Sequence, residues 1–406
     1  MKIRMAALTV SVPLLCSFAH GQWVQTALTS VRVNTIVAKN GDLFAGTNGN
    51  GVYVSTNNGL NWGAVNNGLT NTVVRSLCVV GTDLFAGTYG GGVFRSTDHG
   101  STWTSASSGV ANPYVLSLTV SGATLFAGTE FAAGGIFRST NNGSTWSLAN
   151  TGMGSMTVRS LAASGTNLFA GTNGGGVYAS TNNGLAWSAV NNGITNTYIP
   201  SLGVNGSRVF AGSESGLIYV STNNGAQWSG VTVGSVSGVN SFAFSGTNVF
   251  AGAAIGGVSL STDNGSTWGA INTGLAETTI LSLVVKGDTL YAGTFSSGVW
   301  RRPLQEVATS ADMVPPAAAT QFALAQNYPN PFNPSTTIRF DLPHPERVTL
   351  AVYDAVGREI ARLAEGAYPA GVHSVAFDAT GISSGVYFYR MTAGSFTEVR
   401  KLLLMK

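Results

Sequence analysis

Short apolar blocks run along most of the chain, and clusters of Gly, Asn and Asp separate them. One stretch shows the rule. Ser76-Leu77-Cys78-Val79-Val80 is an apolar run that stops at Gly81-Thr82-Asp83. Leu84-Phe85-Ala86-Gly87-Thr88 follows and stops at Tyr89-Gly90-Gly91-Gly92. Val93-Phe94-Arg95-Ser96 stops at Thr97-Asp98-His99-Gly100, and Trp103-Thr104-Ser105-Ala106 closes the set. Small and β-branched residues bounded by turn formers predict strands, so the set reads as four of them. No stretch sustains a helical period.

The set recurs. Phe-Ala-Gly, or a near copy, stands at Phe44, Phe85, Phe126, Phe169, Phe210, Phe250 and Tyr291, at intervals of 40 to 43 residues. In phase with it runs Ser55-Thr56-Asn57-Asn58-Gly59-Leu60-Asn61-Trp62, with copies ending at Trp103, Trp146, Trp187, Trp228 and Trp268. A fixed period of short strands predicts a repeat array. Four strands per repeat and seven repeats predict an all-β fold, a seven-bladed β-propeller over residues 22–303. The seventh repeat leaves the pattern at Pro303 without its Trp. Trp23 lies 21 residues ahead of Phe44, close to the 23 that separate Trp62 from Phe85. The N-terminal segment is therefore expected to complete the last blade and remove two open sheet edges.

Composition narrows the class. Charged residues are 9% and hydrophobic ones 44%, with 53 glycines in 406 residues. That suits a neutral, turn-rich β protein rather than a disordered one. The formal charge is +3 and falls to about +1 without Lys2 and Arg4, so neither nucleic acid nor an anionic membrane is expected as a partner. Residues 1–21 read as a secretory signal: Lys2 and Arg4, an apolar run over 5–18, then Ala19-His20-Gly21. No other stretch is long enough to span a membrane. Cleavage would leave Cys78 as the one cysteine, hence no internal disulfide. Residues 304–325, with Pro315-Pro316-Ala317-Ala318-Ala319, read as a linker. Beyond it, apolar or alternating runs over 336–343, 348–354, 371–378, 385–392 and 396–404 predict a small C-terminal Ig-like β-sandwich over 326–406.

The Ser-Thr-[Asn/Asp]-x-Gly-x-x-Trp copies resemble the Asp-box, or bacterial neuraminidase repeat, of sialidases, some endoglucanases, sortilin-type receptors and photosystem-assembly propellers. Asp98 and Asp263 keep the Asp, while Asn57, Asn141, Asn182 and Asn223 replace it. The resemblance implies a turn on the rim away from the ligand face. There the Asx side chain caps the turn, Gly supplies positive φ and Trp packs between blades. It implies no metal or cofactor. The tail carries Asn327-Tyr328-Pro329-Asn330-Pro331-Phe332-Asn333-Pro334, Tyr353-Asp354-Ala355-Val356-Gly357-Arg358, Gly385-Val386-Tyr387-Phe388-Tyr389 and Lys401-Leu402-Leu403-Leu404. These motifs, in this order, resemble the C-terminal sorting domain of type IX secretion cargo. The resemblance implies that residues 326–406 are read by the type IX translocon. The passenger would then pass by way of the periplasm to the outer cell surface or the medium.

Function is expected where one repeat departs from its neighbours. Asn34, Arg75, Leu116, Arg159, Pro200, Asn240 and Leu281 are expected just before the innermost strands. Arg32, Tyr114 and Tyr198 stand two residues ahead of that position, and Tyr89, Glu130 and Glu214 follow Phe-Ala-Gly-Thr or its variant. With Phe131, the candidates for one ligand-binding face are Arg32, Arg75, Arg159, Tyr89, Tyr114, Tyr198, Phe131, Glu130 and Glu214. Arg and Tyr on a concave face suit a glycan or protein ligand, through stacking and forked hydrogen bonds. Catalysis is less well served. Asp42, Asp83, Asp98, Asp263 and Asp288 fall at turns, which leaves Glu130, Glu214 and Glu277. The first two lie on loops two repeats apart, whereas two-carboxylate glycosidases need about 5–9.5 Å. His99 sits in an Asp-box turn, so no Ser-His-Asp triad or His metal site can be assembled. The sialidase Phe-Arg-Ile-Pro motif is absent, and nothing in the sequence sets a Tyr beside a Glu. The reading is an exported, non-catalytic binding propeller. A polysaccharide hydrolase or lyase is the runner-up and a structural surface component the third class.

Overall fold

The computed structural model describes residues 22–130, 134–154, 156–234, 236–306, 321–327, 330–368 and 371–405. The expected signal, most of the expected linker and Phe131 lie outside them. Between residues 24 and 303 the described chain forms seven four-stranded antiparallel sheets. Their inner strands are Val33–Lys39, Val74–Val80, Val115–Ser121, Val158–Ser164, Ser201–Asn205, Ser237–Ser245 and Ile280–Lys286. Each inner strand packs beside the next, and the last packs beside the first, so the sheets close a ring.

The join has the expected chemistry. Val24 pairs with Arg301 and Gln25 with Trp300, which makes the N-terminal strand the outer strand of the last sheet. Trp23 then takes the place of the tryptophan that recurs in the other repeats. The indole NH of Trp103, Trp146, Trp187 and Trp228 donates to Val65, Ala106, Ala149 and Val190 O respectively, at 2.7–2.8 Å. Each acceptor lies three residues past the tryptophan slot of the preceding sheet. Trp23 donates to Ile271 O at 2.6 Å, three residues past Trp268. Trp62 and Trp268 depart from the pattern and donate to Thr26 Oγ1 and Gly265 O.

Burial is shared between neighbouring sheets. Phe44 of the first packs against Leu77, Leu84, Phe94 and Trp103 of the second, and Tyr291 of the last packs against Ile36 and Leu43 of the first. The Gly of Phe-Ala-Gly lets sheets approach: a Cβ on Gly87 would stand 2.7 Å from Val115 Cγ1 of the next sheet.

The turn before each tryptophan is built from side chains. Ser96 Oγ accepts from Gly100 NH, and Asp98 Oδ1 accepts from Ser96 Oγ and Thr102 NH, all at 2.8–2.9 Å. A further bond from the Thr102 hydroxyl to Oδ2 helps hold the Asp98 pKa down to about 2. In the Asn57 copy Oδ1 accepts the same two bonds, from Ser55 Oγ and Asn61 NH. The turn needs one amide or carboxylate oxygen, so Asn and Asp interchange.

A second glycine meets a stricter demand. Gly109 has φ +91°, and a Cβ there would lie 2.1 Å from Trp146 O of the next sheet. Gly109→Ala is expected to cost about 2–5 kcal/mol, from left-handed strain and overpacking together. Gly122→Ala, at φ +58° with open space around it, carries the strain alone. Urea unfolding of both variants checks this, and equal losses would refute the collision.

The tail builds a separate core. A three-stranded sheet (Ala323–Leu324, Ser335–Leu342, Gly371–Asp378) and a four-stranded one (Glu359–Tyr368, Glu346–Tyr353, Gly385–Ala393, Phe396–Leu404) bury Ile338, Phe340, Val348, Leu350, Tyr389 and Met391. Tyr389 fastens the first tail motif. Its hydroxyl accepts from Asn327 NH at 2.8 Å and donates to Ala325 O at 2.7 Å. Cys78 is buried in the ring, and burial pushes its thiol up to about 12, which makes it inert.

Candidate ligand-binding site

The inner strands break their ladder at one repeated place. The register shifts between Val33 and Thr35, Val74 and Ser76, Val115 and Ser117, Val158 and Ser160, Val239 and Ser241, and Ile280 and Ser282. The residues skipped are Asn34, Arg75, Leu116, Arg159, Asn240 and Leu281. They are bulge residues inside the strands, not residues ahead of them, which corrects the sequence reading. A bulge leaves its extra residue unpaired and re-aims its side chain. In the remaining sheet the slot is Pro200, which has no NH to give a ladder and stands just before Ser201–Asn205.

All seven slots line one cavity of about 390 Å³, together with Arg32, Tyr89 and Glu130. One residue from every sheet reaches it, so it lies on the axis of the ring. Of the nine candidates, the structure brings Arg32, Arg75, Arg159, Tyr89 and Glu130 together there. Tyr114, Tyr198 and Glu214 belong to the same end of the ring but do not line the cavity. Their backbones explain the shared end: Glu130 NH donates to Tyr114 O, and Glu214 NH to Tyr198 O. Tyr114 and Tyr198 are exposed, and the Tyr114 ring lies 4.8 Å from that of Tyr89. Phe295, which sequence reasoning passed over, is also exposed and stacks beneath the Arg32 guanidinium at 4.6 Å.

Tyr89 and Glu130 line the cavity together, so a Tyr and a Glu do share the site; the carboxylate raises the phenol pKa above its ordinary value, with burial adding to the effect. The signal was available. Tyr89 and Glu130 are one repeat apart in the same slot, and equal slots of adjacent repeats are neighbours around an axis.

The cavity is positive. Arg75 is half-buried over the Tyr89 ring, at 5.1 Å, and its Nε is out of solvent without a partner. Burial lowers its pKa, and Arg32 and Arg159 lower it further, while Tyr89 and Glu130 oppose them. Arg32 Nε donates to Asn34 Oδ1 at 3.1 Å. Among the described residues no ion pair involves Arg32, Arg75 or Arg159.

Asp83 and Glu277 are occupied elsewhere. Asp83 joins two sheets, accepting from Arg95 Nη2 at 2.6 Å and Asn142 Nδ2 at 2.8 Å. Desolvation pulls its pKa up, but those bonds outweigh it and leave the carboxyl below its usual range. Glu277, unassigned from sequence, is a turn residue. It accepts from Thr279 NH at 3.0 Å and from the Ser296 hydroxyl. Asn112 and Asn196 fill that slot under Tyr114 and Tyr198. Among the described residues no cluster of His, Cys, Asp and Glu could hold a metal, and no helix is long and apolar enough to cross a membrane.

Comparison with known proteins bears on the two halves differently. Residues 326–405 match the secretion system C-terminal sorting domain family. This is the type IX sorting domain, and it directs export to the cell surface or the extracellular space. No curated protein matches the sequence. A solved structure of YCF48 bound to D1 peptide is 15% identical, with a TM-score of 0.56 over 70% of this chain and 96% of that one. The GH74 xyloglucanase from Xanthomonas campestris is 16% identical, with a TM-score of 0.56 over 79% of this chain and 59% of its own. The WD40 β-propeller domain of Doa1 is 13% identical, with a TM-score of 0.52 over 68% and 95%. At such identities the likeness concerns fold alone, an all-β propeller-like architecture.

Proposed function

We propose that the chain is an exported binding protein: a seven-bladed Asp-box propeller over residues 22–303 that recognises a glycan or protein ligand at its axial cavity. A signal sequence over 1–21, a linker over 304–325 and an Ig-like sorting sandwich over 326–406 complete this reading. The carrying observation is the cavity, where Arg32, Arg75, Arg159, Tyr89 and Glu130 converge without a second carboxylate. Glu130 is the one acid in the lining and Glu214 stays outside it, so the lining holds no pair for two-carboxylate hydrolysis. Among the similar structures, the YCF48 complex holds a peptide on a fold of this kind. We carry over from it only that such a ring can serve as a binder.

A glycan array probed with the secreted protein tests the reading. Replacing both Arg75 and Arg159 with Ala is expected to weaken binding by about 1.5–3 kcal/mol per lost charge-assisted contact. Changes at an exposed residue such as Arg159 usually stay within about 0.5 kcal/mol of stability, so circular dichroism separates lost binding from lost folding. Binding indifferent to both arginines would remove the cavity from the account.

One observation favours a second reading, cleavage of a polysaccharide. Tyr89 and Glu130 line the same cavity beside three arginines, a pairing of residue types that could serve as nucleophile and base. The xyloglucanase among the similar structures is an enzyme on a related fold. Glycan turnover abolished by Glu130→Gln and by Tyr89→Phe would establish this reading over the first.

A further inference from the structure

The cavity lining carries three guanidinium groups, of Arg32, Arg75 and Arg159, against one carboxylate, of Glu130. The fold does not require this charge. The slot filled by Arg75 and Arg159 holds Leu116, Leu281 and Pro200 in other sheets, and those sheets close the same ring. One half-buried arginine of the ring, Arg95, is balanced by Asp83 at 2.6 Å. At the axis Arg75 meets no carboxylate in an ion pair among the described residues, and its Nε is held away from water with no acceptor among them. A desolvated cation is costly until an anion meets it, and guanidinium presents a planar fork that fits a carboxylate.

The surroundings indicate what carries the anion. Seven of the ten lining residues are polar, unlike a pocket for an apolar small molecule. Tyr114, Tyr198 and Phe295 are 41, 46 and 48% exposed at the same end of the ring. Two of these rings touch lining side chains, Tyr114 at Tyr89 and Phe295 at Arg32. Polar groups within and bare rings around them match the hydroxyls and C–H faces of a sugar. The volume, about 390 Å³, lies at the small end of the roughly 300–1,000 Å³ typical of ligand pockets and suits one end of a chain.

We propose that the axial cavity seats the carboxylate of an acidic saccharide among Arg32, Arg75 and Arg159, with neighbouring sugar units on the exposed rings. This rests on the binding reading above and specifies its ligand. The test uses the secreted protein with three probes: polygalacturonate, its fully methyl-esterified form and poly-glutamate. Polygalacturonate is expected to bind, with affinity falling as salt rises, and the esterified form to bind at least tenfold more weakly. Arg75→Leu and Arg159→Leu, which install the side chain of equivalent slots, are each expected to weaken binding about tenfold. Circular dichroism should stay unchanged. Arg208→Ala, at the far end of its sheet, removes the same charge and is expected to leave affinity as it was.

Equal binding of the two galacturonans would overturn the carboxylate seat while leaving the binding reading intact. So would an equal effect of all three arginine changes. Poly-glutamate bound in preference to polygalacturonate would overturn the saccharide assignment. Failure to bind any of the three, with a neutral glycan captured on the array, would sink this inference alone. An empty array as well would sink the binding reading beneath it.

Discussion

Deleting residues 22–30 is expected to lower the melting temperature of the ring by on the order of 10 °C. The segment holds Trp23, 3% exposed and bonded to Ile271 O, the pairs Val24–Arg301 and Gln25–Trp300, and buried Leu28. Removing a buried Trp costs about 3–5 kcal/mol, and each kcal/mol is worth roughly 2–4 °C in a domain of this size. The deletion also bares the edge of Val299–Pro303, which invites association between chains. Calorimetry with light scattering reads both effects. Trp23→Ala is expected to match Trp103→Ala, because the two indoles are equally buried and make the same bond to the preceding sheet. An unchanged melt after the deletion, or a Trp23→Ala loss well below that of Trp103→Ala, would show that the ring does not depend on this strand.

Deleting residues 326–406 is expected to abolish surface exposure in a host with type IX machinery and to leave the passenger in the periplasm. The tail matches the sorting domain family over nearly its whole length. Its core is its own: the buried cluster runs from Leu324 to Leu404 and includes no residue of the ring. The truncated passenger should therefore keep its β-sheet circular dichroism and its melt, so loss of export can be told from loss of folding. Fractionation with protease accessibility on intact cells reads the outcome. Truncated protein still accessible outside the cell would exclude the tail as the address.

Much of the ring was legible from one dimension. Phe85, Gly87 and Trp103 recur because each sheet must bury the same ring and admit the same neighbour, and most donate the same indole bond. A repeat writes its packing rules once per period, so period and strand count can be read without coordinates. Even the place of Trp23 followed from spacing alone. The site was less legible, for reasons of register and radius. A bulge is a mismatch between two strands, so nothing local marks Arg75 or Arg159 as the unpaired residue aimed at the axis. Tyr89 and Glu130 line one cavity because adjacent sheets bring equal slots together, and the sequence lists them 41 residues apart. Tyr114, Tyr198 and Glu214 share the ring's end with the arginines, yet only the tertiary structure shows which side chains reach the cavity. Sequence by itself determined the repeating sheets and the export tail, because both are local patterns. Which charges face one another was decided by closure of the ring, which turns distance along the chain into angle around an axis.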